Sequence, residues 1–159
     1  PVFRKLKEHY KEDIVIRLIG DKNALINEPC IEQVSWNASN EVADLRQLDI
    51  GVMPLPDDTW SKGKCGFKAI QYMSLAIPCV VSPVGVNTEI IQHGINGMHA
   101  EDEEAWISLL SKLIESPALR KELGDVGRQT ILQKYSVQTQ LKLLISQFRL
   151  VLSKKSNLK

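Results

Sequence analysis

The sequence predicts an α/β fold in which a mostly parallel, Rossmann-like sheet is flanked by helices. Three observations carry that reading. Short β-branched runs alternate with segments of helical periodicity, the connections between them are short, and the last third of the chain is helical throughout. With 159 residues there is room for one domain with a substantial core. A balance of 43% hydrophobic to 25% charged residues is that of a soluble globular chain, which excludes disordered and fibrous classes.

The elements follow in order. Phe3, Leu6 and Tyr10 recur at helical spacing, so residues 2–11 read as a helix. That helix is already under way at the first residue, Pro1, and the expectation is a piece of a longer protein. DIVIRLIG at 13–20 reads as a strand ending in a Gly-Asp turn, a short helix is expected at 22–27, and CIEQVSW at 30–36 reads as a second strand. Residues 37–40 supply helix caps, with Val42, Leu45 and Leu48 as the apolar stripe behind them. A third strand at 50–54 is closed by Pro54 and Pro56, and 55–65 read as a polar loop. Residues 66–75 form a helix with Ala69, Ile70, Met73 and Ile77 on one face.

A short buried strand at 78–82 turns through 83–86 into a helix at 87–92, and 97–100 form a last strand. From Asp102 onward three helices are expected. The first is marked by Trp106, Leu109, Leu110, Leu113 and Ile114; the second by Leu119, Leu123, Val126 and Ile131. The third, capped by Ser136, is marked by Leu141, Leu144, Ile145, Phe148 and Leu152. The domain thus spans residues 1–152, and 153–159 form a frayed polar tail.

Twenty basic against nineteen acidic residues give a formal charge of +1, which offers no footprint for nucleic acid. No apolar run reaches membrane-span length, and no signal-peptide pattern opens the chain. Cys30, Cys65 and Cys79 have spacings that suit neither a zinc site nor a disulfide framework. They read as reduced thiols, and the expected location is the cytoplasm or the inner face of a membrane.

The densest chemical signal is SKGKCGFK at 61–68, where two glycines and three lysines crowd the start of a helix. A helix N-terminus already carries about half a positive charge and several unpaired N–H groups, so cations gathered there call for an anion. The amides of Gly66, Phe67 and Lys68, with Lys62, Lys64 and Lys68, read as a phosphate cradle at the carboxyl ends of the strands. The competing reading is that Asp57 and Asp58 pair with the lysines in a merely solvated loop. Neither a Walker A loop nor a G-x-G-x-x-G fingerprint is present, and His9, His93 and His99 form no nucleophile–base set.

The stretch FKAIQYMSLAIPCVVSPVGVNTEII beginning at Phe67 resembles the donor-binding segment of family 4 (group 1) glycosyltransferases of the GT-B fold. The likeness continues through GINGMHA, through EAWISLLSKLIESPALRKELGDVGRQTILQKYS and into the final helix. The resemblance implies the C-terminal lobe of a two-lobed enzyme that moves a sugar from a nucleotide-diphosphate sugar to a saccharide or lipid-linked acceptor. It implies retention of configuration, a place in polysaccharide biosynthesis, no metal, and no cofactor beyond the donor itself. In that family a Glu-x7-Glu stretch contacts sugar hydroxyls with its first carboxylate and the nucleotide ribose with its second. Those positions fall here on Gly63 and Gln71, so both carboxylates are absent, although an amide can still donate and accept to a diol. The family's lobe also opens with a strand, central in the sheet, that this chain is expected to lack. The consequences expected are open strand edges, a tendency to self-associate, and a piece inactive without its other lobe.

On this resemblance Lys64 and Lys68 stabilise the departing diphosphate and Lys62 assists. Gly66 and Phe67 offer their amides, Gln71 holds the ribose, and Glu89 orients the donor. Trp36 either stacks on the base or simply packs at a strand end, and Glu89 serves equally as a first-turn helix acid. Trp60 covers the sugar or is an exposed loop residue. The basic, amphipathic helix at 141–152 is a solvated face, a contact with the missing lobe, or a membrane contact. The alternative function is a non-catalytic, degenerate module used for assembly or nucleotide-sugar sensing.

Overall fold

The computed structural model describes residues 1–20 and 30–156, with side chains described up to Ser153. The helix expected at 22–27 lies outside the described residues. The described residues form five strands: β1 (Ile16–Gly20), β2 (Ile31–Ser35), β3 (Gly51–Met53), β4 (Cys79–Val81) and β5 (Met98–His99). The helices are α1 (Val2–Tyr10), α2 (Glu41–Leu45), α3 (Thr59–Lys62), α4 (Phe67–Ser74), α5 (Asn87–Ile90), α6 (Glu103–Glu115), α7 (Pro117–Thr130) and α8 (Val137–Ser156). One π-helical segment, Ile131–Tyr135, joins the last two.

All ladders are parallel, as short β-branched strands separated by helices require. The described strands fall into two sheets: β1 pairs with β2, and β4 lies between β3 and β5. Among the described residues no ladder joins β1 to β3, and each has one unpaired edge. Apolar side chains cover both faces of the three-stranded sheet. Cys79 and Val81 point to a cluster with Ala69, Tyr72 and Met73 of α4, Leu45, Ile90 and Ile131. Val80 points the opposite way, to a cluster with Met98, Leu109, Leu110, Leu113, Leu123 and Leu6 of α1. This alternation is the period-two geometry of a strand buried on both sides.

Two expectations are corrected here. Residues 55–65 are not loop throughout, because Asp58 accepts from the Ser61 amide at 2.6 Å and caps the single turn α3. Val126 is exposed, and α7 packs instead through Leu123, Gly124 and Gly127. A Cβ at Gly124 would stand 2.1 Å from the Ala76 carbonyl oxygen, so only glycine lets α7 approach the turn that follows α4. α8 runs to Ser156, four residues past the expected end of the domain, and residues 157–159 lie outside the description. Val137, Leu141, Leu144, Phe148 and Val151 of α8 are exposed in spite of their helical spacing. None of the described helices is long and apolar enough to cross a membrane.

Candidate functional site

The carboxyl ends of the strands bring together Trp36 after β2, the chain from Pro54 to Gly66 after β3, and the Ser82 to Val86 turn after β4. Ser82 locks two of these segments. Its Oγ accepts from the Leu55 amide at 2.9 Å, and its carbonyl accepts from Asn87 Nδ2 at 3.0 Å. Asn87 in turn offers its own carbonyl to His99 Nε2 at 3.3 Å, tying the end of β5 to the same rim. The Asn87 Oδ1 is buried and has no partner among the described residues.

Gly66 caps α4 in the left-handed conformation, at φ 66°. A Cβ there would lie 2.5 Å from Ile90 Cδ1, so both the backbone angle and the packing demand glycine. Gly85, at φ 57°, is equally constrained, because a Cβ would stand 2.8 Å from the Lys62 carbonyl oxygen. The lysine-rich segment and the turn after β4 therefore touch backbone to backbone. Gly63 ends α3 at φ −79°, an angle open to any residue.

The three lysines separate. Lys62 pairs with Asp57 at 2.8 Å, and the Asp57 hydrogen bond and charge raise its pKa. Lys68 donates to Gln71 Oε1 at 2.9 Å and stands 3.6 Å from the Glu41 carboxylate. The Lys64 ammonium has no partner among the described residues, although its charge helps to lower the pKa of Asp58, behind the larger effect of the Ser61 hydrogen bonds. The solvated-pair reading thus describes Lys62 with Asp57, while Lys64 acts on Asp58 through charge without an ion-pair contact among the described residues. Phe67 is exposed in the first turn of α4, and Glu89 is exposed in the first turn of α5. Trp60 of α3 is 81% exposed.

Trp36 meets Lys68 and Gln71 of α4 at one point, and the residue that joins them was not singled out from the sequence. Trp36 Nε1 donates to Glu41 Oε1 at 3.1 Å. Hydrogen bonds from Gln71 and then Trp36, with the Lys68 charge, hold the Glu41 carboxyl below the usual range. In the sequence Glu41 follows a cap-rich stretch and reads only as a first-turn acid. No group of metal-ligating side chains occurs among the described residues.

A family model described as "Glycosyl transferases group 1" matches residues 2–116. The chain belongs to the group 1 glycosyltransferases. No curated protein matches it in sequence. Among solved structures it is similar to the C-terminal domain of LpcC, a group 1 family protein from Francisella tularensis. That likeness has 25% identity, a TM-score of 0.56, and covers 68% of this chain and 55% of that one. A glycosyltransferase from Rickettsia africae matches 95% of this chain over 43% of its own, at 16% identity and a TM-score of 0.70. Anabaena HepE, solved in complex with UDP, matches 93% over 44%, at 15% identity and a TM-score of 0.70. The last two show the fold, which is that of GT-B C-terminal domains, and the chain spans less than half the length of either protein.

Proposed function

We propose that this chain is the nucleotide-sugar-binding lobe of a glycosyltransferase that moves a sugar to a saccharide or lipid-linked acceptor. One observation carries the reading: in a group 1 chain, the unpaired Lys64 ammonium stands beside the left-handed turn that opens α4. The diphosphate lies at that helix start, where the amides of Gly66, Phe67 and Lys68 donate to its oxygens. As the bond from the anomeric carbon to the phosphate oxygen breaks, negative charge grows on the leaving diphosphate. Lys64 and Lys68 stabilise it electrostatically, with Lys62 further out and shared with Asp57. Gly63 leaves room for the sugar, and Glu89 orients it. Trp36 and Gln71 mark the nucleoside end, since the neighbour HepE is solved with UDP.

Transfer with retention needs the second lobe, so the chain by itself is inactive. The exposed apolar face of α8 is covered by that lobe in the intact enzyme, and the basic side of the same helix contacts the membrane surface at its cytoplasmic face. Isothermal titration of the intact protein with UDP and GDP, and with their sugars, tests the reading. Lys64→Glu is expected to weaken binding about tenfold or more, the size of one charge-assisted contact. Unchanged affinity in that variant removes the cradle from the account.

A further inference from the structure

The carboxylate that joins Trp36, Lys68 and Gln71 has capacity left over. An ionised carboxylate offers about four acceptor positions. The indole N–H of Trp36 and the amide of Gln71 take two of them. Lys68, at 3.6 Å, contributes chiefly its charge. Acceptor capacity therefore remains on a side chain that is 25% exposed, at the carboxyl ends of the strands. Because the lysine already balances the charge, a second cation gains little there, whereas two adjacent neutral O–H donors fit. Beside them the Trp36 ring is 51% exposed and offers an apolar face to a planar ring. A molecule that presents a vicinal diol and a planar heterocycle side by side is a ribonucleoside.

Resting on the donor-site reading above, we propose that Glu41 is a binding residue that accepts both hydroxyls of the nucleotide ribose, with Trp36 against the base. Glu41 thereby selects ribonucleotides over 2′-deoxyribonucleotides. Gln71 then acts through Glu41, fixing the orientation of its carboxylate, instead of meeting the ribose itself. A helix-stabilising acid at the start of α2 requires none of this selectivity, and that difference makes the assignment testable.

The experiment is titration of the intact protein with UDP, GDP, ADP and CDP, and with the 2′-deoxy form of each that binds. The unsubstituted protein is expected to favour the ribo form about tenfold or more, as loss of a hydrogen bond to a charged group predicts. Glu41→Gln should bring that ratio to within about threefold by weakening only the ribo form. An unchanged ratio, or equal weakening of both forms, overturns the role of Glu41 and leaves the donor site standing. Failure of the unsubstituted protein to bind any of the four overturns the donor site, and Glu41 with it. A thermal melt accompanies each variant, and should Glu41→Gln unfold, Trp36→Ala and Glu41→Asp are read by the same ratio.

Discussion

The two sheets differ in how they are finished. β4 is buried along its whole length between two hydrogen-bonded neighbours, and apolar clusters close both of its faces. In the β1–β2 pair no residue is fully buried, and no ladder joins the pair to β3. Yet Ile19 of β1, and Ile14 in the chain just before that strand, pack against the same two clusters that hold the larger sheet. The small sheet is thus attached through side chains, whereas the large one is held by side chains and ladder hydrogen bonds together. A two-stranded sheet has marginal stability of its own, so local opening should begin there. That matters for the site, since Trp36 is carried at the end of the weaker sheet while Gly66 and Ser82 belong to the stronger one.

The sharpest way to break this contrast is to strike the strong side. Gly124→Val should cost more than about 4 kcal/mol, because the added carbon meets the backbone carbonyl of Ala76 and not the end of a flexible side chain. A circular-dichroism melt with an unaltered midpoint would show that α7 does not seat there. A paired comparison comes next. Met73→Ala, in the fully buried cluster, should cost about 3 kcal/mol, and Ile19→Ala, partly buried, about half as much. Hydrogen exchange should show the Ile19 variant releasing β1 and β2 amides first while β4 amides keep their protection. Equal loss of protection in both sheets would mean that they open as one unit.

The smallest effect concerns His99 at the end of β5. Burial lowers its pKa, while its hydrogen bond to Asn87 partly opposes the shift. Its folded pKa lies below the unfolded value near 6.5, so the unfolded chain takes up the proton first as pH falls. The stability it supports is complete above about pH 6.5 and declines below that as pH falls toward the folded pKa. Melting midpoints between pH 7.5 and about 5 should therefore drop less in His99→Gln than in the parent. Parallel curves would assign the acid sensitivity elsewhere.

Much of the fold is legible in the sequence because it follows from local repetition. Leu109, Leu110 and Leu113 share a helix face by spacing alone, and the run from Cys79 to Val81 is apolar because both of its faces are covered. Where the signal is short or absent, the reading fails. α3 is a single turn with no period to detect, and its cause, the Asp58 cap, involves only Ser61. The inner face of α7 includes Gly124 and Gly127, which no hydrophobic pattern reveals. The site divides in the same way. The turn at Gly66 is visible from the sequence, but Glu41 looks like an ordinary helix acid until α2 and α4 are seen side by side.

The sequence by itself determined the alternation of the described strands with helices, α3 apart, and the glycine turn before α4, since these depend on local repetition and short spacing. Only the tertiary structure decided which lysine keeps a free charge. Lys62 finds Asp57 within its own segment, Lys68 finds Glu41 across two helices, and Lys64 is left without a partner among the described residues. The physical reason is distance: attraction between charges at a wet surface fades within a few ångströms to a Debye length, and spacing along the chain does not fix those separations.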